Sequence, residues 1–261
     1  MQKRYDPRAS LNLFFGIGAF ALYCLYCFAL VPLWRYCAND IQYMNTALPE
    51  VIEIIYDLVE LAVISAAYAV SIYSVYNYGI GDTFITAGIF AAVTFFKYAI
   101  NLVMSWIDAG FDVDVASDAV SVLVPLCLEL LQYFIVLLIA NKIISRYKDS
   151  VKLRLAAAKR LGAQVEISKP YPFATLVEFK NPLLKSALAA GICIAVSKVG
   201  QRIVYDLFYS LMYGAPRLAE IPVMIVYYLS DVLTGVACYF IAVWLLMLFF
   251  ETKFKRELYN E

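Results

Sequence analysis

From Pro49 to about Tyr76 the chain is long enough and apolar enough to cross a bilayer, yet its first three turns carry Glu50, Glu53, Asp57 and Glu60. At about 100° per residue, these four carboxylates fall within roughly 80° of one helix face. Hydrocarbon cannot solvate them, so that face has to meet other helices or water. The rest of the chain must supply what is set against it.

Composition agrees with a membrane setting. Apolar residues make up 63% of the chain and charged residues 16%, against about half and a quarter in soluble domains. The apolar residues come in blocks longer than 18, which marks transmembrane helices rather than a large soluble core. Lys plus Arg equals Asp plus Glu at 21 each, so net charge gives no reason to expect nucleic acid or another polyanion. The absence of histidine excludes His metal ligands, Ser-His and Cys-His nucleophile pairs and a His proton shuttle. Cys24 and Cys27 have the spacing of a redox pair but lie inside an apolar run. They read as small packing residues, and neither a cofactor, a metal site nor a disulfide framework is expected.

Six spans follow from the apolar blocks. The first covers about Leu11 to Trp34, after Lys3, Arg4 and Arg8; its apolar core is too long for a signal peptide and has no evident cleavage site. The second begins at Pro49, where a missing N–H costs nothing. The turn Asn77–Asp82 leads to a third span, about Thr83 to Ile107. An acidic loop with Asp108, Asp112, Asp114 and Asp118 precedes a fourth, about Ala119 to Ser145, where Pro125 predicts a kink. The basic segment Lys152–Leu161 extends this helix to Gly162, and Val165–Phe179 alternates like a small hairpin or interfacial loop. The fifth span covers about Leu183 to Met212, Tyr213-Gly214-Ala215-Pro216 breaks it, and the sixth runs from about Pro222 to Phe250.

Basic residues are distributed unequally between the two sides. The N-terminus, the segment Lys142–Lys185 and the C-terminus carry three, ten and three of them, 16 in all. The opposite loops hold Arg35 and Arg217 alone, and Lys97, Lys198 and Arg202 lie within spans. The positive-inside rule then places both termini in the cytoplasm. The expected location is a bacterial inner (plasma) membrane.

The spans pair into three hairpins with related sequences, about 11–76, 83–145 and 183–250. Gly16-Ile17, Gly88-Ile89 and Gly191-Ile192 open similar stretches, and 41, 41 and 40 residues separate these glycines from Asp57, Glu129 and Asp231. Trp34 and Trp106 share an offset of 72 and suit the aromatic belt. The fold expected is all-α and polytopic: one membrane domain of three parallel hairpins, with a cytoplasmic basic loop at 146–182 inserted before the third. Gly88-x-x-x-Ala92 and Gly191-x-x-x-Ala195 would let helix backbones approach closely.

Seven ionisable residues lie well inside the spans: Asp57, Glu60, Lys97, Glu129, Lys198, Arg202 and Asp231. Exposing all seven to lipid would cost about 17–25 kcal/mol, more than the whole stability of a typical fold, about 5–15 kcal/mol. They are therefore expected to face inward. Bases come from odd spans and acids from even ones at similar depth, so Lys198 and Arg202 are expected to pair with Asp231 and Glu129.

Two roles suit this layer. It lines a polar pathway for an ion or small polar solute in a small permease or channel-like protein, or it is structural, in a membrane scaffold or accessory subunit. An enzyme fits less well, because no nucleophile motif or Gly-rich phosphate loop accompanies the charges. Asp57 and Asp231 would act as an aspartyl pair only if the fold joined them. The 21 tyrosines read as interfacial anchors and hydrogen-bonded packing. The basic loop suits anionic lipid headgroups of the bilayer, or a cytoplasmic protein partner.

Overall fold

The computed structural model describes residues 48–81, 84–108, 115–160, 181–213 and 221–259, together with Gly18, Ala21, Leu25 and Ala29. The remainder of the first expected span, Trp34, Arg35, Arg217 and the alternating segment 165–179 lie outside the described residues. Five helices are described: α1 (Leu48–Tyr78), α2 (Phe84–Asp108), α3 (Val115–Arg160), α4 (Pro182–Tyr213) and α5 (Ile221–Tyr259). They correspond to the second through sixth expected spans.

Each contains a segment long and apolar enough to cross a membrane: Asp57–Tyr76, Ala87–Met104, Val122–Ser150, Pro182–Val204 and Ile221–Phe249. The protein is an α-helical integral membrane protein. Two helices run past their apolar segments. α3, at 46 residues, is about 69 Å long, well beyond a hydrocarbon layer of about 30 Å. It continues through Pro125, whose ring removes one intrahelical bond, and carries the expected basic extension as part of the same helix. α5 likewise continues past Phe249 through Lys253, Lys255 and Arg256 to Tyr259.

Local chemistry sets several helix ends. Gly79 has a φ of 93° and donates its N–H to the Val75 carbonyl at 3.0 Å, the αL cap that glycine adopts without a Cβ penalty. Lys148 closes the same end, donating to the Tyr76 carbonyl at 2.6 Å with its ammonium 5.6 Å from the Tyr76 ring centroid. A cation there also meets the negative end of the helix dipole. α4 starts with Pro182 in its first turn, and Asn181 Oδ1 accepts from the Leu183 N–H at 2.9 Å, an N-cap with proline at the first helical position.

The helices fall into two compact units, Met1–Val70 with Phe84–Leu131, and Ser71–Thr83 with Gln132–Glu261. In the first unit, Ala67, Tyr68, Ala87, Phe90 and Thr94 are buried, and the Tyr68 and Phe90 rings meet at 5.9 Å between centroids. In the second, buried residues recur at helical spacing on α4 (Leu183, Ala187, Ala190, Ile194) and α5 (Tyr239, Val243, Met247). There too, the buried Ser71 and Tyr133 hydroxyls share a hydrogen bond of 2.5 Å.

α4 and α5 pack closely on each other. A Cβ on Gly191 would lie 2.9 Å from the Phe240 nitrogen and 3.0 Å from the Val236 carbonyl oxygen, and one on Gly235 would lie 3.0 Å from the Ala195 Cβ. The close approach expected of Gly191-x-x-x-Ala195 is therefore realised. Gly88-x-x-x-Ala92 behaves differently. A Cβ on Gly88 would meet nothing within 4 Å, and Gly88 and Ala92 are both exposed. The same spacing sits on an outward face of α2, so it brings no described backbone close there.

Candidate functional site

The first unit holds a three-helix charge cluster. α2 carries Lys97, whose Nζ lies 3.1 Å from Glu129 Oε1 on α3 and 3.4 Å from Glu60 Oε1 on α1. The Tyr98 hydroxyl donates to the same Glu129 oxygen at 2.6 Å. Side-chain exposure is 19% for Lys97, 17% for Glu129 and 25% for Glu60, low enough that water screens these contacts only in part. Glu60 lies in Asp57–Tyr76, Lys97 in Ala87–Met104 and Glu129 in Val122–Ser150. All three are thus within segments of membrane-spanning length. Asp57, one turn before Glu60 on α1, is exposed.

The cluster forms part of the wall of a partly open cavity of about 50 Å³, otherwise lined mainly by apolar residues such as Val59, Val63, Phe90 and Val93, with Thr94. That volume has room for a few water-sized molecules. The surface that faces the cavity is almost wholly apolar; in the cluster behind it one ammonium stands against two carboxylates, an excess of one negative charge when all three are ionised.

The second unit holds a separate arrangement on α4 and α5. Arg202 Nη1 donates to Asp231 Oδ2 at 3.1 Å, with the guanidinium 4.7 Å from the Tyr227 ring centroid. The Lys198 ammonium lies 5.4 Å from the Tyr239 ring centroid. Tyr228 donates to Asp206. With side-chain exposures of 51% for Arg202 and 32% for Asp231, this pair is much less sheltered than the Lys97 cluster.

The expected Arg202–Asp231 pairing is present. Glu129, expected to partner Lys198 or Arg202, is held instead by Lys97 and Tyr98 of the adjoining α2. Depth along a span restricts which residues can meet, but neighbouring helices decide which do. Of the seven residues, Asp57, Glu60, Lys97 and Glu129 belong to one unit and Lys198, Arg202 and Asp231 to the other. Tyr98, Tyr227, Tyr228 and Tyr239 have no place among the expected site residues; the tyrosines, Tyr227 and Tyr228 among them, are expected only as anchors or hydrogen-bonded packing. Their signal is adjacency: Tyr98 follows Lys97 directly, and Tyr227 stands one helical turn before Asp231.

Comparison of the chain with protein-family models, with curated proteins and with solved structures finds no match.

Proposed function

We propose that the protein is a small permease or channel-like protein for an ion or small polar solute, with the Lys97 cluster on its path. In this reading six spans form three hairpins in a bacterial inner membrane, with both termini cytoplasmic. The observation that carries it is the position of Lys97, Glu60 and Glu129 on the wall of a cavity between membrane-length helices. Ionisable groups at that depth are costly and characteristically mark ion and solute routes. A purely structural ion cluster needs no cavity beside it.

The hairpin proposal draws support from two matched pairs, Lys97 with Glu129 and Arg202 with Asp231, each joining a base on the first helix of a hairpin to an acid on the second. The differing environments of Gly88 and Gly191 weigh against a strict repeat. Basic ends on both α3 and α5 suit a cytoplasmic side rich in anionic lipid.

The test is flux from proteoliposomes under imposed gradients of protons, sodium, potassium or methylammonium. The protein should dissipate at least one gradient faster than protein-free vesicles do, and Glu129→Gln should slow that flux about tenfold or more. Failure of the wild type on every gradient overturns the reading. The second reading, a membrane scaffold with a partner on its basic segment, is favoured by one fact: both charge clusters contain their own counter-ions. Retained flux in Glu129→Gln would make that cluster structural.

A further inference from the structure

We infer that the seat formed by Glu60 and Glu129 is a binding site for a small alkylammonium ion, and that Lys97 is its tethered occupant. The seat already holds a primary ammonium: Lys97 Nζ stands 3.1 Å from one carboxylate and 3.4 Å from the other. An ammonium presents three N–H donors, enough to reach carboxylates on two different helices at once. The cavity beside it is apolar, lined by Val59, Val63, Phe90 and Val93 along with the three charged residues. Apolar walls beside paired carboxylates suit an ion with a donor-bearing cationic head and a short apolar body. They suit a hydrated metal cation less, because it would leave its water shell against Val and Phe side chains.

The geometry also implies competition. An incoming ammonium takes the carboxylates only if Lys97 yields them, and it leaves the charge balance of the cluster unchanged when Lys97 swings away. Lys97 then acts as a built-in counter-ion that offsets one of the seat's two negative charges between ligands. The inference deepens the permease reading by naming the solute class, and it rests on that reading only for the ligand's route across the membrane.

Chemical rescue tests it. Lys97→Ala deletes four heavy atoms, Cγ, Cδ, Cε and Nζ, and n-propylammonium has four in the same order. In purified Lys97→Ala, n-propylammonium should raise the melting temperature saturably, by about 5–10 °C at a hundredfold excess over its Kd. Tetramethylammonium, with the same charge and no N–H, should give less than a fifth of that shift, and sodium likewise. Lys97→Ala/Glu129→Gln should lose the response.

Equal shifts from n-propylammonium and tetramethylammonium, or no shift from either, overturn the inference. If Lys97→Ala and Lys97→Met both fail to fold, extraction in the presence of n-propylammonium should recover monodisperse Lys97→Ala, and failure to recover it also overturns the inference. Because the readout is thermal stability, absent rescue alongside wild-type proton or sodium flux removes the ammonium seat and leaves the permease reading standing. Rescue without any flux does the reverse.

Discussion

Replacing Lys97 with Met keeps the length and apolar bulk of the side chain and deletes one ammonium shared by two carboxylates. At 3.1 Å and an effective dielectric of about 20, one such contact has a gross Coulomb energy of about 5 kcal/mol. Desolvation offsets much of this, but a carboxylate left behind after its partner is removed costs about 3–5 kcal/mol. Side-chain exposures of 17–25% place the expected loss near the lower end, about 3 kcal/mol. Glu129→Gln is milder, because Lys97 keeps Glu60 and the Tyr98 hydroxyl can still donate to the amide oxygen. Its loss should be about 1–2 kcal/mol. The double variant should cost less than the two losses together, by about 1–2 kcal/mol. Reversible unfolding of the purified protein, titrated with a denaturing detergent against a mild one, measures all four corners of the cycle. Additivity within about 0.5 kcal/mol would mean that Lys97 and Glu129 do not interact and would remove the basis of the site.

The close contact at Gly191 gives a second expectation: Gly191→Ala should destabilise by up to about 2 kcal/mol, as overpacking outweighs the helix propensity gained. Gly88→Ala should be neutral or stabilising by up to about 1 kcal/mol, and equal losses at the two positions would refute the packing difference. Arg202→Ala and Asp231→Ala should each lower folded yield in detergent, by an amount equivalent to about 1 kcal/mol at this exposure, and the double variant should recover part of the loss; a double variant as poor as both losses combined would mean that the pair contributes nothing. For topology, single cysteines placed at Asp112 and Arg217 in a cysteine-free background should react with an impermeant thiol reagent in intact cells, whereas one at Lys159 should not. Labelling at Lys159 alone would reverse the orientation.

Much of the helical architecture can be read from the sequence because membrane spans announce themselves through length and apolarity, with little dependence on tertiary context. The ends of α2 and α4 fall within a residue of expectation for that reason, whereas the Asn181 cap of α4 and the Gly79 cap of α1 are local features that the expectation did not include. α3 begins four residues before the expected Ala119. Val115–Asp118 looks like acidic loop sequence, yet it forms the first turn of the helix. The candidate site was legible as a set of residues and not as a set of partners. Composition and depth single out Lys97, Glu129, Arg202 and Asp231, but the azimuth and neighbours of each helix are tertiary facts. Lys97 therefore took Glu129 from the partners expected for it, while Arg202 and Asp231 met as expected. The same limit applies to glycine. Gly88 and Gly191 share a sequence context, and only the packing around them separates a close crossing from an open face.

If the Lys97 cluster lies on a permeation path, the cavity beside it should be reached from water and should prefer cations. Thr94 lines it and is 4% exposed, so a Thr94→Cys variant in a cysteine-free background places a thiol in its wall. The rate of modification by methanethiosulfonate ethylammonium should exceed that by methanethiosulfonate ethylsulfonate at least tenfold, each taken relative to its rate with a free thiol in solution. Such a ratio corresponds to about 1.4 kcal/mol of preference. Equal relative rates, a faster sulfonate or a thiol inert to both reagents would contradict the account.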